Sequence, residues 1–410
     1  MKGRQPFRAA VLSIGSELTS GRTQDSNAAF LASEVRRLGG RVDEIRSLPD
    51  DLPAMARALR ELARGRSLLL VTGGLGPTED DRTRQALARA SGRPLRLHRP
   101  SLEAIQARFR RAGRAMTANN RLQALFPAGA LPLPNAQGTA PGIRMRLASC
   151  RVLAFPGVPS EMRAMWEPCR GGVARELGRP PLLLRRLHVF GLAESEVDRR
   201  MRRLMAPGRD PEAGLTVSDA VITVSLTSSS PARIAGDEKA LRRLLGRAVF
   251  GVDGEGLAAA VVARLRRRRR TLALAESATG GLISHLVTEV PGASKVLWEG
   301  RAVYTVAAKR RLGVPAPLLK RHGPVSEAVT RELASRIRRV SGATYGLAVT
   351  GLAGPSGGTR KTPVGTCFLA LAGPRGLQAA RRIFLLGERA LVKRRAALAA
   401  LDFLRLSVGG

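Results

Sequence analysis

The stretch Leu272–Leu286, "LALAESATGGLISHL", decides how the C-terminal part of this chain is read. It opens as an apolar, strand-like run that ends on Glu276 and Ser277. Thr279, Gly280 and Gly281 follow, and then a helical pattern. A strand that delivers a bare hydroxyl to its tip, just ahead of two glycines, leaves two readings. Either the hydroxyls of this turn only cap the next helix, or Ser277 is a nucleophile.

A nucleophilic serine needs a group to take its proton, and the chain has four histidines. His285 lies two turns along the helix, ~12 Å from Ser277 by helix geometry. His322 sits on a later connection, and His98 and His188 belong to other segments. The alternative base is a lysine discharged by burial. "AVYTVAAK", Ala302–Lys309, supplies Lys309, with Tyr304 at the end of the preceding strand to orient it or relay a proton. Lysine is scarce here, seven of the 69 basic residues, and only lysine can be tuned neutral. Backbone N–H groups after Thr279-Gly280-Gly281 suit an oxyanion or a phosphate. "TGLAGPSGG", Thr350–Gly358, adds a second glycine-rich loop at a strand end.

Working outward, this stretch belongs to an α/β segment running from about residue 253 to 410, in which strands and helices alternate. Residues 8–90 alternate in the same way. "AAVLSIG", "VDEIRSL" and "SLLLVTGG" read as strands, separated by helices at "SNAAFLASEVRRLGG" and "DLPAMARALRELARG". Such alternation requires crossover connections and predicts a parallel sheet with its ligand site beyond the strands' carboxyl ends. Polar clusters fall there: "GSELTSGRTQDSN", "PDD" at Pro49–Asp51, and "TGGLGPTEDDRT" at Thr72–Thr83. Between these segments, from about Leu183, two paired strands, a further strand and two helices make a small α/β unit. One of those helices is read over "GDEKALRRLLGRAVF", Gly236–Phe250. No polar constellation converges in this unit, so it reads as structural. The expected domains are 1–170, 171–252 and 253–410. The glycine loops after "VTG" at Val71 and Val349 look alike, but their contexts differ and the match is read as coincidence.

The chain carries a net charge of +37. Its arginines are spread over the whole length and aromatics are only 3% of residues, so a stacking surface for nucleic acid is not expected. The run Arg266–Arg270 closes a helical pattern, where cations complement the helix dipole. Three widely spaced cysteines argue against a disulfide framework or a zinc site. No apolar span is long enough for a membrane helix, and "MKGRQPFRAAVLSIG" lacks a signal-peptide core, so a cytoplasmic protein is expected.

These motifs carry a resemblance. "AESATGG", "PGASKVLWEG", Tyr304 five residues before Lys309, "HGPVSEAV", "AVTGLAGPSGG", "PVGTCFLAL" and "LGERALVK" occur in one order, and the segment resembles the nicotinamide-nucleotide amidohydrolase domain of the competence/damage-inducible CinA family. The resemblance implies deamidation of nicotinamide mononucleotide to nicotinate mononucleotide and ammonia, without a cofactor. It implies Ser277 as nucleophile, Lys309 as base and Tyr304 as its partner. Thr279, Gly280, Gly281, Thr350, Gly351 and Arg389 would bind or polarise substrate. The chain departs from the family's usual pattern at Ala278, at Thr305-Val306, at Glu388 and at Lys393, which bears on substrate affinity.

The first segment resembles the same family's N-terminal half, of the molybdopterin-binding MoaB/MogA-like fold. It does so through "IGSELTSGRTQDSNAAFLA", "TGGLGPTEDDRTRQALA", "NNRLQALFPAGA", "LPNAQGTAPG" and "FPGVPSEMRAMWE". Here the resemblance implies a metal-dependent ADP-ribose pyrophosphatase. Gly73, Gly74, Gly76 and Asn27 would hold substrate. Asp80 and Asp81, with Glu17 and Asp50 at neighbouring strand ends, would hold Mg²⁺ or a similar ion as hard oxygen donors. The other reading of the acidic pair is capping of the following helix. The middle segment resembles a KH-type fold but has no Gly-x-x-Gly loop, which argues against RNA binding.

Taken together, the resemblance implies a homodimer or higher homo-oligomer acting on small nucleotides, with no membrane partner. Two competing readings are a pterin- or nucleotide-binding protein with a silenced C-terminal site, and a nucleic-acid-binding protein of competence.

Overall fold

The computed structural model describes residues 7–408. Met1–Pro6, part of the stretch read as lacking a signal-peptide core, lies outside the described residues. The chain divides into two compact units, Met1–Leu183 and Leu184–Gly410.

In the first unit, β1 (Arg8–Ile14) leads through a one-turn helix α1 (Ser16–Thr19) to α2 (Ser26–Arg37), β2 (Arg41–Leu48), α3 (Leu52–Ala63) and β3 (Leu68–Thr72). Asp25 caps α2 by accepting from Ala28 N–H, and Asp51 caps α3 by accepting from Ala54 N–H. Helix α4 (Thr83–Ser91), β4 (Leu95–Leu97), α5 (Arg99–Arg111), β5 (Leu125–Pro127), β6 (Leu131–Leu133), β7 (Gly142–Leu147), β8 (Cys150–Phe155) and α6 (Pro159–Leu177) complete it. The main sheet has the order β2-β1-β3-β8-β7-β6. The expected parallel arrangement holds for β1, β2, β3 and β8, and two antiparallel strands, β7 and β6, extend it. Strand β1 is buried on both faces. Ala10, Leu12 and Ile14 pack with Met55, Leu59 and Leu62 of α3, and Ala9 and Val11 pack with Leu31, Val35 and Trp166 on the other side. The expected boundary at residue 170 falls inside α6. Pro168, Gly171 and Gly172 suggest a helix end, but burial of Met162, Trp166, Val173 and Leu177 along one face carries the helix through them.

The second unit begins with the small domain: β9 (Leu183–Val189), α7 (Glu194–Met201), β10 (Glu212–Ser218), β11 (Val221–Ser228), α8 (Pro231–Leu245) and β12 (Val249–Val252). Its sheet order is β10-β11-β9-β12. The helix expected over Gly236–Phe250 ends at Leu245. Val249 instead starts an edge strand paired with β9, because β-branched residues there close the sheet.

The rest forms a five-stranded sheet in the order β14-β13-β15-β16-β17, introduced along the chain as follows. Helix α9 (Leu257–Arg267) precedes β13 (Leu272–Glu276), α10 (Leu282–Thr288), β14 (Leu297–Ala302), α11 (Val306–Arg311), α12 (Ala316–His322) and α13 (Glu327–Ser341). Then come β15 (Tyr345–Gly351), β16 (Thr366–Ala372), β17 (Gln378–Phe384) and α14 (Arg389–Ser407). Strands β14, β13 and β15 are parallel, and β16 and β17 extend them antiparallel. Leu272 and Leu274 face a core shared with α9, α10 and α14, whereas Ala273 and Ala275 face α13. A two-sided core on β13 brings the carboxyl end of that strand, and Ser277 after it, to a fixed place. Of the arginine run, Arg266 and Arg267 lie in the last turn of α9, as the dipole argument expects, and Arg268–Arg270 lie beyond it. Among the described residues no helix is long and apolar enough to cross a membrane.

Near the end of α14, Asp402 and Arg405 are 4% and 6% exposed and pair at 2.5 Å, and Arg405 also donates to the Arg247 carbonyl at 2.7 Å. Removing one partner of such a buried pair leaves the other charge uncompensated. Asp402→Ala is expected to lower unfolding free energy by about 3–5 kcal/mol in urea denaturation, and Asp402→Leu combined with Arg405→Met to recover most of it.

Candidate active site

Ser277 directly follows β13 and is 4% exposed. Its N–H donates to the Val349 carbonyl at 2.9 Å, which ties the nucleophile candidate to the neighbouring strand β15. The turn after it passes through Gly280 (φ 63°) and Gly281 (φ 99°), left-handed conformations that a side chain strains.

The turn is held from below by a residue that sequence reasoning named but gave no role. Glu276 is 1% exposed, and its carboxylate accepts from the N–H groups of Gly281 (3.0 Å), Ile283 (3.0 Å) and Ser284 (2.8 Å), and from the Ser284 hydroxyl (2.7 Å). The N-terminus of α10, expected to receive an oxyanion or phosphate, is therefore filled by the protein's own carboxylate. Thr279 does not cap the helix either, and its buried hydroxyl has no protein partner. The readable signal was a charged residue closing an otherwise apolar strand just before a helix start.

Lys309 is 1% exposed, and its ammonium nitrogen lies 2.9 Å from Ser277 Oγ, 2.9 Å from the Val303 carbonyl and 3.3 Å from the Tyr304 carbonyl. Burial alone, with no carboxylate beside it, lowers its pKa to about 8. A neutral amine has two N–H donors and one lone pair. The protonated amine donates to both carbonyls and to the Ser277 hydroxyl; once it has lost a proton it can keep the two carbonyl bonds and turn its lone pair to the Ser277 hydroxyl. Thr305 caps α11 through Ala308 N–H and so sets where the helix presents Lys309.

Tyr304 meets the lysine through its carbonyl. Its hydroxyl, on a ring 55% exposed, instead accepts from Arg389 Nη2 at 2.6 Å, so the expected phenol–lysine relay is corrected. Arg389 also donates to the Gly354 carbonyl at 2.8 Å, which places its guanidinium across the site. Ser277, Lys309, Tyr304, Arg389 and Gly351 line one cavity of about 220 Å³, together with Ala278, Val306, Pro324, Val325 and Ala353. No histidine lines it. Thr350, expected to touch substrate, does not line it. Its hydroxyl donates to Thr330 Oγ1 at 2.7 Å, since Thr330 gives its own proton to the Ser326 carbonyl. Thr279, Gly280 and Gly281 shape the turn and likewise do not line the cavity. Pro324 and Val325, which close the cavity from a distant connection, lie within the "HGPVSEAV" motif, but nothing in the sequence pattern assigned them a role.

In the N-terminal unit, Glu17, Asp50, Gly73, Gly74, Gly76, Asp80 and Asp81 line a second cavity of about 390 Å³, with Glu161. Gly73 can only be glycine: a Cβ there would sit 2.0 Å from the Ile14 carbonyl. Asn27 is not in the wall. Its amide donates to Thr72 Oγ1 (3.0 Å) and the Gly157 carbonyl (2.8 Å), so it ties the floor of the loops and the expected substrate contact is corrected.

The four expected metal ligands share this cavity, but two are already engaged. Asp81 accepts from Gly76 N–H, Thr78 N–H and the Thr78 hydroxyl, and Asp50 accepts from the N–H and hydroxyl of Ser16. Among the described residues no three histidine, cysteine or acidic side chains converge as metal ligands. The set therefore does not form a ready-made metal site. Asp81 shapes the loop, because the N–H groups of a tight glycine turn need an acceptor. Behind this loop Arg84, 2% exposed, donates to the Leu75 carbonyl, and burial lowers its pKa to about 10.

Three stretches of the chain match family models: residues 10–170 "Probable molybdopterin binding domain", 184–251 "Damage-inducible protein CinA KH domain", and 254–408 "CinA C-terminal domain". A CinA-like protein of Anaeromyxobacter sp. (strain Fw109-5) is 45% identical over 98% of this chain and the whole of its own length. The chain belongs to the CinA family. A CinA-like protein of Desulfosudis oleivorans is 38% identical over 97% of this chain and 98% of its own. Among solved structures, CinA from Thermoplasma acidophilum is 32% identical, covering 41% of this chain and 98% of that one, with a TM-score of 0.39. The architecture is accordingly a MoaB/MogA-like domain, a KH-type domain and a CinA C-terminal domain.

For this CinA-family chain, Glu276→Ala would strand three N–H groups at the start of α10, that of buried Ile283 and those of half-buried Gly281 and Ser284. The expected cost is about 2–4 kcal/mol of unfolding free energy, read from urea or thermal melts.

Proposed function

We propose that the C-terminal domain is an amidohydrolase that deamidates nicotinamide mononucleotide. The observation that carries this reading is the buried Lys309 amine 2.9 Å from Ser277 Oγ with no acidic neighbour. A neutral Lys309 takes the serine proton as Ser277 Oγ attacks the carboxamide carbon, forming a tetrahedral oxyanion. The protonated lysine then gives that proton to the departing nitrogen, and ammonia leaves as the C–N bond breaks. Water, deprotonated by the same amine, opens the acyl-serine ester and yields the carboxylate product. The cavity of about 220 Å³ suits a ring-sized carboxamide. Arg389 at its rim is placed to meet the anionic remainder of the nucleotide, and Val306 adds an apolar wall. A cytoplasmic location and a homo-oligomeric assembly fit this reading and are proposed with it.

For the N-terminal domain we propose metal-dependent hydrolysis of the pyrophosphate bond of ADP-ribose. The glycine-rich cavity, walled by carboxylates and with no basic side chain in its lining, supports this reading. A divalent ion brought in with the substrate's phosphates would make an anion acceptable there; Glu17 and Asp80 are the carboxylates least engaged by the protein. Specific nucleic-acid binding is not part of either reading.

Ammonia release from nicotinamide mononucleotide by the full chain is the test. Activity is expected in the wild type and at least a thousandfold less in Ser277→Ala and Lys309→Arg, since a guanidinium stays charged. No release from folded wild type rejects the deamidase. The rate should also rise with pH and level off above about 8, because the reactive form of Lys309 is the one that has lost its proton. A profile flat from pH 6 to 9 would remove Lys309 as the base. ADP-ribose with magnesium chloride, followed by release of AMP, tests the second domain, and Glu17→Gln is expected to lower that rate at least tenfold.

A further inference from the structure

The arginine run Arg266–Arg270 does more than close α9: its first residues wall a cavity. A space of about 590 Å³ opens between β12, α9 and the residues that follow α10. Phe250, Ala260, Ala263, Val290 and Pro291 give it apolar walls. Arg264, Arg266, Arg267 and Arg405 bring four cations to it, against the single acid Glu255. It shares no residue with the cavity around Ser277 and Lys309.

Arginines gathered at helix ends can serve only to complement backbone carbonyls, and some here do so. Arg247 donates to the Leu406 carbonyl and Arg268 to that of Val408, both at the end of α14. Arg405 is held by Asp402 and by the Arg247 carbonyl. Arg264, Arg266 and Arg267 differ. Among the described residues, none of their guanidinium groups has a hydrogen bond or a carboxylate partner. Arg264 is half-buried, and its pKa is lowered by burial and then by the charges of Arg268, Arg405, Arg247 and Arg267. Glu255 offers little relief, because its carboxylate already accepts from Val252 N–H at 3.1 Å. Cations brought together in a half-buried place without acceptors repel one another, and an anion from solution removes that repulsion.

The lining also says what kind of anion fits. Guanidinium forks match the oxygens of a phosphate, and three unpartnered ones suit a doubly charged group better than a single carboxylate. The apolar walls favour an organic body over a bare inorganic ion. Phe250 is the one aromatic residue of the lining, and its ring already stacks on His188 with centroids 5.8 Å apart. Successive bases of a nucleic acid therefore find no platform, whereas a concave space of this size is that of a small-molecule pocket.

We infer that this cavity, at the junction of the KH-type and CinA C-terminal domains, binds a small organic phosphate. Arg264 and Arg267 hold the phosphate, and Ala260, Val290 and Pro291 meet the apolar body. The inference rests on neither of the proposed activities.

Isothermal titration of the full chain with phenyl phosphate and with inorganic phosphate tests it. About 150 mM sodium chloride screens loose attraction to the surface arginines. Arg264→Gln removes one cation. Ala263→Glu, at an exposed position of the lining, sets a carboxylate among the others. Both changes relieve repulsion, so both variants should melt no lower than the wild type. Arg243→Gln, exposed on α8 and outside the lining, is the control. Phenyl phosphate is expected to bind the wild type about fivefold or more tighter than inorganic phosphate. Its affinity should fall about tenfold in Arg264→Gln and in Ala263→Glu, and stay unchanged in Arg243→Gln. No binding of phenyl phosphate to the wild type, or equal affinity for the two probes, overturns the inference. So does binding that both variants retain, or that the control weakens as much as they do.

Discussion

The candidate active site hangs on one buried carboxylate. Glu276 ends β13, an inner strand of the C-terminal sheet, and a carboxylate there would be costly if it were not fully hydrogen-bonded. The first turn of α10 supplies four donors and the positive end of its dipole, so strand end and helix start are clamped in one geometry. The same residue reaches Lys309 by its other end. Its carbonyl accepts from Val303 N–H at 2.7 Å, and the Val303 carbonyl in turn accepts from Lys309. Ser277 and Lys309 are thus positioned from a single residue that touches neither of them through its side chain.

That arrangement explains why a lysine stands where the chain elsewhere uses arginine. Within the core, apolar packing around α11 disfavours charge, and a guanidinium would keep its charge regardless. The lysine's partners are neutral acceptors, so no carboxylate offsets burial, and the amine loses its proton near pH 8 rather than near its ordinary value. Where a charge must remain charged, the chain does the opposite and pairs it, as Asp402 does with Arg405. In a protein of net charge +37, the acidic lining of the N-terminal cavity is a local exception, and exceptions to the global charge mark where chemistry is specified.

Much of this was legible in the linear pattern. Alternating strands and helices indicated the α/β class, and the apolar run into Glu276-Ser277, the glycines and the isolated Lys309 singled out two residues that the fold places 2.9 Å apart. The antiparallel strands at the edges were harder to read, because β6, β7, β16 and β17 join by turns and loops whose strands look like any other apolar run. The extent of α6 was not read in the sequence, because glycine and proline weaken a helix locally while burial of one face decides whether it continues. Arg389 and Tyr304 were both found, but their mutual hydrogen bond, which takes the phenol away from the lysine, depends on α14 returning across the sheet.

What the sequence by itself determined was the set of local choices: which runs are buried, where helices are capped by Asp25, Asp51 and Ser326, and which rare residue types stand at strand ends. These follow from side-chain size, polarity and backbone propensity, which act over a few neighbours. Only the tertiary structure decided which polar groups remain available. Thr350 is consumed by Thr330, Asp81 by the N–H groups of its own loop, the α10 N-terminus by Glu276, and Asn27 by Thr72 and Gly157. Each was a chemically sensible ligand in the sequence. A buried donor or acceptor must find a partner, and which partner it finds is settled by groups brought near from distant parts of the chain.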